Sequence, residues 1–161
     1  MTGKIVTAMT NYYKGDVKRI NHFMKVYAFA KAIGEEEGLD SKTQNILEIA
    51  AIVHDIGIKP SEEKYGSSAG KYQETEGPGE TERLLTDLGV DKDTIERVCF
   101  LVGHHHTYKN IEGMDYQILV EADFIVNIYE DNESRAAVER VYESIFKTMT
   151  GKKYMKDMYL N

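Results

Sequence analysis

Several ingredients are scarce in this sequence. One cysteine, Cys99, among 161 residues excludes an internal disulfide framework and a cysteine-rich zinc site. Two prolines and 13 glycines argue against a chain of turns and short strands. Apolar runs such as 50–53 fall far short of the roughly 20 residues that span a bilayer. The opening MTGKIVTAMTNYYKGD has one early Lys but no apolar h-region, so no targeting segment is expected and the protein reads as cytoplasmic. Basic charge is also in deficit: 20 Lys+Arg stand against 27 Asp+Glu, a formal net charge of −7. That balance repels a nucleic-acid backbone or an anionic membrane, so neither is expected as a partner. A small anionic substrate would need a local positive centre, such as a metal ion.

What is present is a core-forming, helix-periodic chain. Hydrophobic residues make up 42% and charged residues 29%, which fits one soluble globular domain over residues 1–161. After a short N-terminal segment, Val17, Ile20, Phe23, Met24, Tyr27, Ala30 and Ile33 recur at three- and four-residue steps, and Gly34 and Gly38 mark the end. Ser41 or Thr43 can cap a second helix, which runs through Ile46, Leu47 and Ile49 to Val53 and is apolar nearly all round. Residues 57–79, rich in Gly, Ser, Glu and Lys, read as irregular: either a lid carrying Lys59, Lys64, Lys71, Tyr65 and Tyr72, or a surface loop. Helices are expected again at 80–88, 92–105, 116–130 and 135–148. The predicted fold is all-α, a single bundle of six or seven helices.

The histidines are few and unevenly placed. His22, on the flank of an apolar helix face, reads on its own as an ordinary core or surface residue. His54-Asp55 ends the most apolar helix, and burying that pair there is costly without partners. Asp123 interrupts the apolar segment Ile118 to Ile128; it reads as part of a polar face with Glu121 and Asn127, as an Asp paired with an Arg, or as a carboxylate held charged by a cation. His104-His105-His106 follows the apolar segment Val98 to Val102; His105 and His104 are the inward candidates, and His106 is expected at the rim or in solvent. Neutral imidazole and ionised carboxylate are ordinary ligands for divalent cations.

The order His22, His54-Asp55, a histidine pair and Asp123 resembles the HD superfamily of metal-dependent phosphohydrolases. The likeness covers about residues 15–150 and rests on KRINHFMKVYAFAKAI, EIAAIVHDIGIKP, LVGHHHTY and ILVEADFIVNIYE. It implies an HD-type helical bundle in which His22, His54, Asp55 and Asp123 ligate a divalent metal (Mn, Co, Mg, Ni, Zn or Fe), with one or two ions per chain. His104 and His105 fall where relatives place a second metal or the substrate phosphate. In ETEGPGETERLL, Glu76 stands where many relatives carry a further His and is a candidate for a second metal or a water-mediated substrate contact, and Lys59 is the candidate for a phosphate-contacting Lys.

The implied reaction is hydrolysis of a small phosphorylated metabolite or nucleotide, a phosphomonoester or a phosphodiester, by metal-activated water. Asp55, Asp123 and His105 are its catalytic candidates. Two other readings stand beside it: a dinuclear iron oxygenase, against which Glu76 counts, and a non-catalytic binding or regulatory module. The tail 152–161, with Tyr154, Met155, Met158 and Tyr159, either packs back on the domain or forms a homodimer contact.

Overall fold

A computed structural model describes all residues, 1–161, and contains nine α-helices and no strand: α1 (Thr2–Tyr12), α2 (Val17–Glu36), α3 (Ser41–Val53), α4 (Ile58–Tyr65), α5 (Gly70–Asp87), α6 (Lys92–Val102), α7 (Met114–Glu130), α8 (Arg135–Ser144) and α9 (Met149–Tyr159). The all-α expectation holds, with more helices than the six or seven predicted. Short polar side chains set many of the starts by accepting from backbone N–H groups that have no partner within the helix. Asp16 caps α2, Asp91 caps α6, Ser134 caps α8 and Thr148 caps α9. At α3 the cap is Asp40, which accepts from the Thr43 N–H at 2.9 Å, rather than Ser41 or Thr43.

Helix α3 is the centre of the molecule. Leu47, Ala50, Ala51, Ile52 and Val53 have no exposed surface, and α1, α2, α6 and α7 all pack against it. Helix α7 is nearly as enclosed: Ile118, Leu119, Val120, Ala122 and Ile125 are fully buried between α2, α3 and α9. The tail folds back as α9. Met155 is fully buried, and the Tyr159 hydroxyl donates to the Ile125 carbonyl at 2.6 Å. Helix α1 grips the turn after α3, with Tyr13 donating to the Asp55 carbonyl at 2.7 Å and Tyr12 to the Ile56 carbonyl at 3.1 Å.

The largest departure from the sequence reading lies in residues 57–79, which are mostly helix, α4 and α5. Two of their glycines act as contact surfaces rather than as breaks. A Cβ on Gly57 would lie 2.6 Å from the Gln73 carbonyl oxygen, and one on Gly77 would lie 2.6 Å from Val102. Their absence lets α5 lie against the turn after α3 and against α6, and this packing sustains a helix that carries Pro78 in its interior.

Candidate metal centre

Three helices and two turns deliver the chemistry. His22 projects from α2, His54 caps the C-terminus of α3 with Asp55 next in the turn, Asp123 comes from α7, and His105 and His106 sit just beyond α6. That last turn is fixed from both sides. Arg97 of α6 forks onto the Asp115 carboxylate at 2.7 and 2.9 Å, and the Tyr116 hydroxyl donates to the carbonyls of His104 and Thr107.

Four donor atoms meet at one point. His22 Nε2 lies 3.2 Å from each of His54 Nε2, Asp55 Oδ2 and Asp123 Oδ1. His54 Nε2 lies 3.4 Å from Asp55 Oδ2 and 3.5 Å from Asp123 Oδ1. Donors bound to one ion at about 2.0–2.2 Å necessarily stand about 3.0–3.5 Å from one another, the spacing of this quartet.

The hydrogen atoms are arranged for the same purpose. His54 Nδ1 donates to the Ala51 carbonyl at 2.7 Å, His105 Nδ1 to the Val102 carbonyl at 2.8 Å, and His22 Nδ1 to Glu130 at 2.5 Å. Each neutral ring therefore turns an Nε2 lone pair inward, the outer-shell arrangement that orients histidine ligands. His105 Nε2 is buried without any hydrogen-bond partner, 3.5 Å from Asp55 Oδ1.

The electrostatics call for positive charge. Burial pulls the His22 imidazolium down, but hydrogen bonds to Asp123 and Asp55 outweigh it and lift the pKa to about 10. His54 moves in the same direction: burial opposes the shift, and the charge of Asp55 overcomes it. Burial resists ionisation of Asp55 and Asp123, yet the facing imidazoles hold both well below the usual carboxylate range. Two imidazolium rings with nitrogens 3.2 Å apart would repel each other, whereas one divalent cation satisfies both rings and both carboxylates together. The donor set fits a metal ion.

His22, Asp55 and Asp123 line a polar cavity of about 440 Å³, with Ile58 as its sole hydrophobic lining residue and Lys18, Arg19, Asp16, Glu130 and Asp131 around it, while His54 is fully buried behind them. The Arg19 guanidinium is steadied by Glu62 at 2.8 Å and Asp16 at 3.5 Å.

The other residues singled out from sequence fall differently. His105 joins the centre, and so does His106, whose ring also faces Asp55 and Gln73. His104 lies outside: its ring stacks on Phe100 at 4.0 Å and its Nδ1 bonds the Phe100 carbonyl, because the chain leaves the helix at Gly103 and turns. Glu76 is on the outer side of α5, paired with Lys64 at 3.0 Å and Tyr65 at 2.7 Å; Gln73, almost one turn earlier, is the α5 side chain that reaches the cavity. Lys59 turns away to the Tyr12 carbonyl and ring.

Glu130, Asn127, Arg19 and Gln73 were not picked out as site residues from the sequence. For the first three the helical register carried the signal. Asn127 and Glu130 lie four and seven residues after Asp123 on α7, and Arg19 lies three before His22 on α2.

Comparison with known proteins agrees with this picture. The family model for the HD domain matches residues 19–145, and the chain belongs to that family. A crystal structure of a predicted HD superfamily hydrolase from an uncultured Thermotogales bacterium is similar over 98% of this chain and 84% of that one, with a TM-score of 0.69 and 24% identity. At that identity the likeness is one of fold. A search of curated proteins finds no match. No helix is long and apolar enough to cross a membrane.

Proposed function

We propose that the protein is a metal-dependent phosphohydrolase that releases phosphate from a small phosphorylated metabolite or nucleotide. The observation that carries this reading is the convergence of His22, His54, Asp55 and Asp123, three of which line a cavity that also bears Arg19 and Lys18. A divalent ion held by those four residues would polarise a phosphoryl oxygen and make water acidic enough to attack near neutral pH. Mn, Co, Mg, Ni, Zn and Fe are all compatible with such a donor set.

The chain's own side chains supply the rest. Glu130 and Asn127 hold His22 and Asp123 in position, the latter through an Asn127 amide hydrogen bond of 3.0 Å to Asp123 Oδ1. His105, buried beside Asp55 with no hydrogen-bond partner at Nε2 and its ring anchored through Nδ1, would serve as the base for the attacking water. Arg19, held by Glu62 and Asp16, would offer its remaining N–H groups to the phosphoryl oxygens as negative charge builds on them. The ion, with Arg19 and Lys18, would supply the positive charge an anionic substrate needs, against Asp16, Glu130 and Asp131 in the same cavity.

The test is a phosphate-release screen over phosphomonoesters, phosphodiesters and nucleotides. The metal-stripped protein is reloaded with each candidate ion and run beside Asp55→Ala. Metal-dependent release that vanishes in the variant supports the reading. A protein that takes up metal and releases phosphate from nothing in the panel contradicts it.

A further inference from the structure

Helices α7 and α8 face each other across a gap beside the metal centre. Phe124, Asn127 and Ile128 stand on the α7 side, and Ala137, Arg140, Val141 and Ser144 on the α8 side, at the three- and four-residue steps that share one helix face. Large facing side chains would interdigitate and fill such a space. Here α8 presents the small Ala137 and Ser144, and a cavity of about 290 Å³ remains. It adjoins the polar cavity of the metal centre, because Asn127 and Asp131 line both. Asn127 also donates to Asp123 Oδ1 at 3.0 Å. From Asp123 to Ile128 the helix rises about 7.5 Å, a distance that one phosphorylated pentose bridges.

The walls of this second cavity are of two kinds. Phe124, Ile128, Ala137 and Val141 form an apolar patch, and Phe124 is backed by the Tyr108 ring at 5.1 Å between centroids. Charged groups stand around the patch. Arg140 is alone among the arginines in having no ion pair, since Arg19, Arg83, Arg97 and Arg135 each hold one. Asp131 and Glu133 share the lining with Arg140 and supply acceptors. A sugar phosphate alone brings no apolar face to the patch, and an alkyl chain leaves the donors and acceptors unused. A nucleobase brings both: flat apolar faces, and an edge of N–H donors with carbonyl and ring-nitrogen acceptors.

We infer that the cavity between α7 and α8 receives the base of a nucleotide whose phosphate lies at the metal centre, with Arg140 donating to the edge of the base. The inference rests on the phosphohydrolase reading above and adds the substrate class. The base touches none of His22, His54, Asp55 and Asp123, so its binding is independent of the ion.

The experiment uses adenosine, guanosine, cytidine and uridine as probes, which keep the base and lack the phosphate. Calorimetry measures their binding to the full chain with and without Mn²⁺, and NMR follows the methyl signals of Ala137 and Val141. At least one nucleoside is expected to bind with similar affinity in both states and to shift those signals; ribose 5-phosphate is expected to leave them unmoved. Ala137→Leu fills the cavity and is expected to weaken that nucleoside's binding, and to raise KM for its monophosphate, by about tenfold or more. Arg140→Gln, at an exposed position of α8, is read in the same way should Ala137→Leu fail to fold by thermal melting. No nucleoside binding, or binding that the folded variants leave unchanged, would overturn the inference. Metal-dependent phosphate release from sugar or alkyl phosphates would in that case leave the phosphohydrolase reading standing. Nucleoside binding at α8 by a protein that releases phosphate from no nucleotide would instead overturn that reading, and keep the cavity as a nucleoside site.

Discussion

Nδ1 of His22 lies 2.5 Å from Oε1 of Glu130, across 108 residues of sequence, and the other oxygen of Glu130 is held by Lys25 at 2.7 Å. This contact joins α2 to the end of α7 and fixes the ring that faces both carboxylates of the centre. Replacing Glu130 with Gln keeps the shape and removes the charge. Metal affinity is expected to fall by about 10–100-fold, the usual effect of removing a second-layer carboxylate from a histidine ligand. Competition with a fluorescent chelator measures it; an unchanged affinity would show that His22 needs no such support.

Metal binding should stabilise the fold, because the buried quartet brings two carboxylates together with two inward lone pairs. An ion present at 100 times its dissociation constant contributes about 2.7 kcal/mol. For a domain of this size each kcal/mol moves Tm by about 2–4 °C, so Mn²⁺ is expected to raise Tm by roughly 5–10 °C. Asp123→Ala should abolish that rise, as read by differential scanning calorimetry.

The glycines of α5 separate packing from flexibility. A Cβ on Gly77 would meet Val102 at 2.6 Å, whereas one on Gly79 would meet nothing within 4 Å. Gly77→Ala is expected to destabilise by about 1–3 kcal/mol through overpacking. Gly79→Ala, inside the same helix, should be neutral or stabilise by up to about 1 kcal/mol. Urea unfolding of the pair measures both.

Burial, with a smaller push from Glu82, raises the Cys99 thiol pKa from 9.0 to about 11. Below pH 9 the folded and unfolded chains both keep this proton, so it adds no pH dependence. Between pH 9 and about 11 the unfolded chain has released the proton and the folded chain retains it, so this residue's contribution to stability falls as pH rises. Alkylation of Cys99 by iodoacetamide at pH 8 is accordingly expected to be much slower in the folded protein than in the urea-unfolded chain. Equal rates would contradict the shift.

How much of this was legible in the sequence depends on how local each feature is. The apolar periodicity of α2, α3 and α7 marks them as buried helices, and the polar residues set into those runs, His22, His54-Asp55 and Asp123, are the ones the fold brings together. Residues 57–79 were opaque because their glycines signal breaks in isolation, and only the facing backbone and Val102 reveal them as contact positions. The three successive histidines could not be sorted by helical register, since the helix stops at Val102 and the following turn sends His105 and His106 inward and His104 out. Gln73 was invisible for a related reason: its orientation in the cavity wall is set by the Ser68 carbonyl, which only folding places beside it.

The most direct test of the account follows metal occupancy and phosphate release in the same samples. Metal-stripped protein is titrated with Mn²⁺ in the presence of the best phosphorylated substrate from the screen, beside Asp123→Ala. Phosphate release should rise in proportion to the first ion bound and be absent from the variant at every Mn²⁺ concentration. Release that ignores occupancy, or that persists in Asp123→Ala, would contradict a phosphohydrolase built on this centre.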